Sequence, residues 1–349
     1  MNDLDTLLIE MLEKGGSDLH LTAGAPPKAR IDGVIYSLRE EAIRAEDLEA
    51  MLKEVTPPNR WESFLQTGDV DLAHEIPARA RFRMNLFKNS WGIGTVLRQI
   101  PSRVQSIDEL GLPKALKDVA MYPEGLVLVT GPTGSGKSTT LAGMINHINE
   151  KSAKQIITLE DPIEFTHDDK QSTVLHREIG DHTRNFEAGL RAAIRADPDV
   201  ILIGEMRSMR TIRLALNCAA MGMLVFATLH TNGATKTIDR IIDAFPADEQ
   251  NQTRTMLAES LRAIVSQQLC KGKDKGRVPA FEILLSHSSL PNCIRKNSLA
   301  SISNIIDQNR EDGMISLDAY LRDLVESGAI SREEAYMKAQ NKMQFADPE

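Results

Sequence analysis

Apolar residues recur along this chain with two different periods, and the change of period divides it. At the amino end Leu4, Leu7, Leu8, Met11 and Leu12 fall at helical spacing, and Gly15-Gly16 closes that helix. Leu19 and Leu21 then alternate with polar neighbours as a strand does. Asp32-Gly33, between Ala29-Arg30-Ile31 and Val34-Ile35-Tyr36, is the short-range mark of a hairpin. Residues 81–87 and 94–98 predict two further strands, so 1–100 reads as a small mixed α/β domain, followed by a linker over 101–114 that opens at Pro101. Over 115–287 the pattern changes to short uninterrupted apolar runs, at 126–129, 156–159, 200–203, 224–227 and 280–285, separated by helical periods. Runs that are apolar on both faces predict a largely parallel sheet covered by helices. Residues 288–349 read as helical: Leu317, Tyr320, Leu321, Leu324 and Val325 share one face, and Ser331 with Glu334 offers a capping box.

Composition changes this picture mainly by exclusion. A length of 349 residues suits two or three domains. The net charge is −8 and aromatics are only 4%, which disfavours a nucleic-acid motor, since such proteins carry a basic stripe and stacking aromatics. The densest basic run, Cys270-Lys271-Gly272-Lys273-Asp274-Lys275-Gly276-Arg277, reads as a solvated loop between two elements. No apolar run approaches the roughly 20 residues that span a bilayer, and the acidic start Met1-Asn2-Asp3-Leu4-Asp5 is unlike a secretory signal. Cys218, Cys270 and Cys293 are scattered, with no C-x-x-C pair, so neither a zinc module nor a disulfide framework is expected. Cytoplasm is the expected address.

The strongest chemical signal follows the first buried-type strand. Gly131-Pro132-Thr133-Gly134-Ser135-Gly136-Lys137-Ser138-Thr139 matches the phosphate-binding pattern G-x-x-x-x-G-K-[ST] and opens a helical stretch over 140–148. Glycines let the loop curl so that backbone N–H groups face an anion. Lys137 can then neutralise phosphate charge, and the Ser138 hydroxyl can hold Mg²⁺. Hydrolysis further requires carboxylates to hold the ion and orient water. Glu160-Asp161-Pro162-Ile163-Glu164 and Glu205 each follow a strand, which predicts that they reach the carboxyl edge of the sheet beside the loop. His230 ends the next strand, and reads equally as a γ-phosphate partner or a polar strand-end residue. Arginine candidates for offsetting phosphoryl charge are Arg81, Arg83, Arg177, Arg191, Arg195 and Arg207.

In these stretches the chain resembles the type IV pilus retraction ATPases of the secretion-ATPase superfamily. The matching segments include Ser17-Asp18-Leu19-His20-Leu21, Arg81-Phe82-Arg83-Met84-Asn85, the phosphate loop, Leu159-Glu160-Asp161-Pro162-Ile163-Glu164-Phe165, residues 197–207 and Thr228-Leu229-His230-Thr231. The resemblance implies an α/β protomer with a PAS-like N-terminal domain and a RecA-like ATPase core (115–287) carrying a helical extension (288–349). Six copies would form a ring that binds ATP and Mg²⁺. The loop residues Gly131, Thr133, Gly134, Ser135, Gly136, Lys137, Ser138 and Thr139 would bind the nucleotide, with Arg81, Arg83, Arg98 and the histidine-box residue His230. Glu164 would be the general base, and Glu205 with Ser138 would hold the metal.

The implied role is ATP hydrolysis that powers pilus retraction at the inner face of the cytoplasmic membrane. The partners would be a platform protein and, as a second candidate, a paralogous pilus ATPase, without nucleic acid and with only peripheral membrane contact. An accessory subunit with weak hydrolysis, and a secretion or assembly ATPase, are the alternatives. An assembly ATPase would usually carry a longer N-terminal region and a tetracysteine module. Three departures from the family pattern stand out. Ser208 replaces an Asp, Arg210 replaces a Glu, and Ala220-Met221-Gly222-Met223 replaces E-T-G-H. Met223 thus takes the place of a second histidine, which would alter coupling between phosphate state and domain movement. The region at 290–297 keeps only part of the retraction signature A-I-R-N-L-I-R-E.

Overall fold

The computed structural model describes residues 3–77, 79–100, 103–274 and 276–346; Met1 and Asn2 of the acidic start, Pro101 and Ser102 of the expected linker, and Lys275 of the basic run lie outside the described residues. The chain divides into two compact units, Met1–Arg103 with Asp161–Thr166, and Val104–Glu160 with His167–Glu349.

The first unit opens with α1 (Asp3–Glu13), whose Leu4, Leu7, Leu8 and Met11 are buried. Then follow β1 (Gly16–Thr22), β2 (Lys28–Ile31), β3 (Val34–Ser37), α2 (Ala45–Val55), α3 (Pro58–Thr67), β4 (Asp69–Ile76), β5 (Ala80–Asn89) and β6 (Gly92–Ile100). The strands form one antiparallel sheet in the order β3-β2-β1-β6-β5-β4. The expected hairpin is present: Asp32 and Gly33 have φ of 49° and 84°, the left-handed pair that matches strand twist in a two-residue turn. Helices α2 and α3 and strand β4 were not anticipated from the periodicity. Their punctuation is nevertheless ordinary: Pro58 opens α3, and Gly68 closes it in the left-handed conformation, donating its N–H to the Phe64 carbonyl.

The second unit contains α4 (Ala115–Ala120), β7 (Gly125–Thr130), α5 (Lys137–Lys151), β8 (Gln155–Glu160), β9 (Thr173–Glu178), α6 (Phe186–Ala193), β10 (Val200–Ile203), α7 (Met209–Ala220), β11 (Leu224–Leu229), α8 (Ala234–Asp243), α9 (Gln250–Ser260), β12 (Leu261–Lys271), β13 (Arg277–Leu285), α10 (Leu290–Arg295), α11 (Ser301–Gln308), α12 (Leu317–Glu326) and α13 (Arg332–Lys338). The sheet runs β13-β12-β7-β11-β10-β8-β9, parallel throughout except for the antiparallel edge strand β13. Every residue of β7, β10 and β11 is buried, so both faces of the central strands are covered.

Strand β12 escaped the hydrophobic pattern because Ser266 and Gln267 interrupt it. Both are buried. The Ser266 hydroxyl accepts from Gly233 N–H, and the Gln267 side chain accepts from the Thr140 hydroxyl at 2.7 Å. A polar strand residue is tolerated inside when its hydrogen bonds are met. At the carboxyl end, α12 and α13 pack on β13 and β12, where Phe281 meets Tyr320 edge to ring face at 5.5 Å. Only half of the capping box forms: the Ser331 hydroxyl accepts from Glu334 N–H at 3.1 Å, while the Glu334 carboxylate accepts instead from Lys271 N–H at 3.0 Å.

Candidate active site

In the second unit the candidate groups gather where β7, β8, β10 and β11 end. Residues 131–136 leave β7 and curl into the N-terminus of α5, whose first helical residue is Lys137. Gly131 has φ of +143°, and a Cβ there would stand 2.1 Å from the Gln267 carbonyl oxygen and 2.7 Å from the Ser135 hydroxyl. The loop can lie against β12 only because that position is glycine. Lys137 is buried, and its ammonium donates to the carbonyls of Gly131 and Pro132 at 2.9 and 3.0 Å, which places its charge across the mouth of the loop. Thr133 and Gly134 are exposed, and Ser138 and Thr139 are half-buried in the first turn of α5.

Several features of this loop fit a nucleotide phosphate. The Ser135 hydroxyl is buried with no hydrogen-bond partner among the described residues, and so is that of Thr130 at the end of β7. Donors desolvated in this way suit an anion, as do the unpaired N–H groups at a helix N-terminus. For a divalent cation the donor set is thinner. Among the described residues no cluster of three His, Cys, Asp or Glu side chains is placed to hold a metal. The oxygens expected to contribute are the Ser138 hydroxyl, in the first turn of α5, and the Glu205 carboxylate, after β10. That suits Mg²⁺, which takes one or two protein oxygens and completes its shell with phosphate and water.

Glu205 follows β10 through Gly204, whose N–H donates to the Leu159 carbonyl at 2.8 Å and whose carbonyl accepts from the Thr228 hydroxyl. Its backbone is thus held by strands on either side. The Glu205 carboxylate, 16% exposed, meets Arg207 Nε at 2.7 Å through one oxygen. Its other oxygen lies 3.6 Å from His230 Nε2. His230 and Glu205 are therefore neighbours across adjacent strand ends.

Two further residues enter the site unforeseen. His176 on β9 accepts the His167 N–H at Nε2 (3.0 Å), which leaves Nδ1 as the nitrogen that donates to the Thr158 hydroxyl at 2.9 Å; Nδ1 is also 3.9 Å from Glu160 Oε1. Gln267 is the other, through its contacts with Gly131 and Thr140. Neither belongs to a motif. Only a buried polar residue in a strand pattern could have pointed to them.

The first unit gathers the remaining candidates. Arg81 and Arg83 stand two apart on β5, and Arg83 pairs directly with Arg98 on β6, so all three share one face of the sheet. Asp18, buried on β1, holds Arg98 Nε at 2.7 Å. Burial alone would raise the Asp18 pKa, but the Ser17 and Arg98 hydrogen bonds and the Arg98 charge bring it below the ordinary carboxylate value. Glu164 lies 4.0 Å from Arg83 Nη1. It was expected with Glu160 at the carboxyl edge of the parallel sheet. Glu160 does end β8, whereas Asp161–Thr166 clusters with the antiparallel unit. Of the other arginines, Arg177 donates to the His182 carbonyl at 3.1 Å, and Arg191 and Arg195 lie on α6 and the short turn after it.

A parallel α/β unit with a phosphate loop after its central strand, preceded by an antiparallel unit, is the RecA-like secretion-ATPase fold. The chain belongs to the family of Type II/IV secretion system proteins, whose model matches residues 1–275. It is 45% identical over 337 residues to the type IV pilus retractation ATPase PilT of Pseudomonas aeruginosa, an alignment that covers 97% of this chain and 98% of that protein. A twitching motility protein of Neisseria gonorrhoeae is 46% identical over 316 residues, covering 90% of this chain and 84% of its own. Among solved structures, that of the pilus retraction motor PilT with bound ADP matches with a TM-score of 0.91 at 39% identity, over 99% of this chain and 98% of that one.

Proposed function

We propose that this protein is an ATP-hydrolysing motor of type IV pilus retraction, working as a homo-hexamer at the cytoplasmic face of the inner membrane. The observation that carries the reading is the loop at 131–138 closed onto the N-terminus of α5, with Glu205 and His230 on neighbouring strand ends. Near-full-length similarity to a named retraction ATPase supports the direction of force.

In this reading Gly131, Thr133, Gly134, Ser135, Gly136, Lys137 and Thr139 bind the phosphates. Ser138 and Glu205 hold Mg²⁺, which neutralises charge on the β- and γ-phosphates. Glu164 acts as general base on water. Arg81, Arg83 and Arg98 offset phosphoryl charge, a task for which the planar guanidinium is suited. His230 reports the state of Glu205 and the nucleotide to the loop that follows it. The work would be delivered to an inner-membrane platform protein, with a paralogous pilus ATPase as a second candidate partner. Among the described residues no helix is long and apolar enough to cross a membrane.

The test is steady-state ATP hydrolysis by the full-length protein with Mg²⁺, beside Lys137→Ala and Glu164→Gln. Turnover that both substitutions lower by about a hundredfold or more supports the motor reading. Nucleotide binding without turnover, unchanged by Glu164→Gln, would instead identify an accessory subunit.

A further inference from the structure

After β11 the chain passes through His230, Thr231, Asn232 and Gly233 into α8, whose first turn presents N–H groups that no helix satisfies internally. Side chains from two neighbouring strands meet them. Ala234 donates its N–H to Glu282 Oε1 on β13 at 2.7 Å, and Gly233 donates to the Ser266 hydroxyl on β12 at 2.9 Å. Gly233 has φ of +95°, and a Cβ there would lie 3.2 Å from Glu282 Oε1. The second carboxylate oxygen, Oε2, accepts from Gln340 Nε2 at 2.9 Å. Gln340 is itself fixed: its N–H and that of Asn341 donate to the two carboxylate oxygens of Asp318 on α12, each at 2.8 Å. Glu282 is only 8% exposed. A buried carboxylate is costly unless its oxygens are bonded, and an apolar residue would fill this strand position without that cost.

We propose that Glu282 is a positioning residue for His230, holding the 230–234 loop by one carboxylate oxygen and tying it by the other, through Gln340, to the C-terminal segment. The proposal rests on the reading of the nucleotide site given above, because it concerns the placement of His230 beside Glu205. The segment after α13 then belongs to the catalytic unit rather than hanging from it. Displacing Gln340 loosens the carboxylate that caps α8, and that cap sets where His230 stands relative to Glu205.

The hydrogen-bond chemistry makes a reciprocal test available. Glu282→Gln keeps an acceptor for Ala234 N–H but removes the charge to which Gln340 donates and turns an NH₂ group toward it, which Gln340 can meet only by rotating its amide out of its present bond. Adding Gln340→Glu restores a donor–acceptor pair. Three full-length proteins are compared with wild type: Glu282→Gln, Gln340→Ala and the double variant Glu282→Gln/Gln340→Glu. The readouts are kcat and KM for ATP, and amide hydrogen exchange over 231–236.

Glu282→Gln is expected to lower kcat about tenfold with KM within about twofold, and to speed exchange at Ala234 by a similar factor. Gln340→Ala should act in the same direction, and the double variant should return to within about threefold of wild type. A purely structural Glu282 would lower the melting temperature and leave kcat per folded site unchanged. That result overturns the proposal, as does a double variant no better than Glu282→Gln alone. Should wild type fail to turn over ATP, the motor reading falls, and exchange at Ala234 in the single and double variants still decides whether Glu282 and Gln340 hold the loop.

Discussion

Acidification from pH 7 to 5 is expected to remove about 2 kcal/mol of stability through a single side chain, His167. Burial, helped by the neighbouring His176 and Lys170, lowers its imidazole from the ordinary 6.5 to about 4. Geometry agrees: Nδ1 is buried with no hydrogen-bond partner among the described residues, and the ring stacks on His176 with centroids 5.7 Å apart and planes 11° from parallel. A proton there meets a second imidazole rather than an acceptor. Between pH 6.5 and 4 the unfolded chain binds a proton that the folded chain refuses, so stability falls as pH drops through that window and is level above it. The full displacement corresponds to about 3 kcal/mol, of which about 2 kcal/mol falls between pH 7 and 5.

The control is His167→Phe, which keeps an aromatic ring on His176 and carries no titrating group. Two measurements decide the matter. In an NMR titration of the eight histidines, one Cε1–H resonance should move near pH 4 and be missing from the variant. In urea unfolding at pH 7 and pH 5, wild type should lose about 2 kcal/mol more than the variant. A His167 resonance with its midpoint near 6.5, or equal acid sensitivity in the two proteins, would refute the reasoning.

Two other expectations are simpler. Gly131→Ala places a Cβ 2.1 Å from a backbone carbonyl of β12 at a φ of +143°; it should weaken nucleotide binding at least about tenfold and lower the melting temperature, and wild-type affinity by calorimetry would contradict the close packing described here. Burial pushes the Cys218 and Cys270 thiols up to about 11, while Cys293 is only half-buried. A thiol reagent at neutral pH should therefore label one site per folded chain, abolished by Cys293→Ser, and uniform labelling of all three would oppose this.

Much of the fold was legible because the parallel sheet advertises itself. Buried strands such as β7, β10 and β11 are continuous apolar runs, and a loop that must curl around phosphate needs its glycines and lysine at fixed spacing. Strand β12 was not legible, since Ser266 and Gln267 hold polar side chains inside the sheet for the sake of bonds to Gly233 and Thr140, partners far away in sequence. Glu282 was hidden for the same reason. Its partners, Ala234 and Gln340, are 48 and 58 residues away. Periodicity reports which face a residue lies on, and it is silent on which distant group will satisfy it. Glu164 groups differently from Glu160: Glu160 ends β8, while Asp161–Thr166 clusters with the antiparallel unit, a division that no periodicity reports.

The departures from the retraction-ATPase pattern take on a different weight once they are placed in the ATPase unit. Ser208 is the N-cap of α7, and its hydroxyl accepts from Thr211 N–H at 3.1 Å, a task that serine performs as well as the aspartate it replaces. Arg210, largely exposed, stands 3.9 Å from Glu187 of α6, a surface pairing between two helices. Met223 precedes β11, whereas His230 follows it, so the two histidine-box positions lie about 20 Å apart along the strand, on opposite edges of the sheet. Replacing a histidine by Met223 therefore leaves the pairing of His230 with Glu205 untouched. What it changes is the amino edge, where Met221 is 62% exposed beside it and two flexible thioethers stand where the family pattern has polar side chains. Of the three departures, then, only the methionine pair stands at the edge remote from Glu205, while Ser208 and Arg210, close to Glu205 in sequence, supply a helix cap and a surface ion pair.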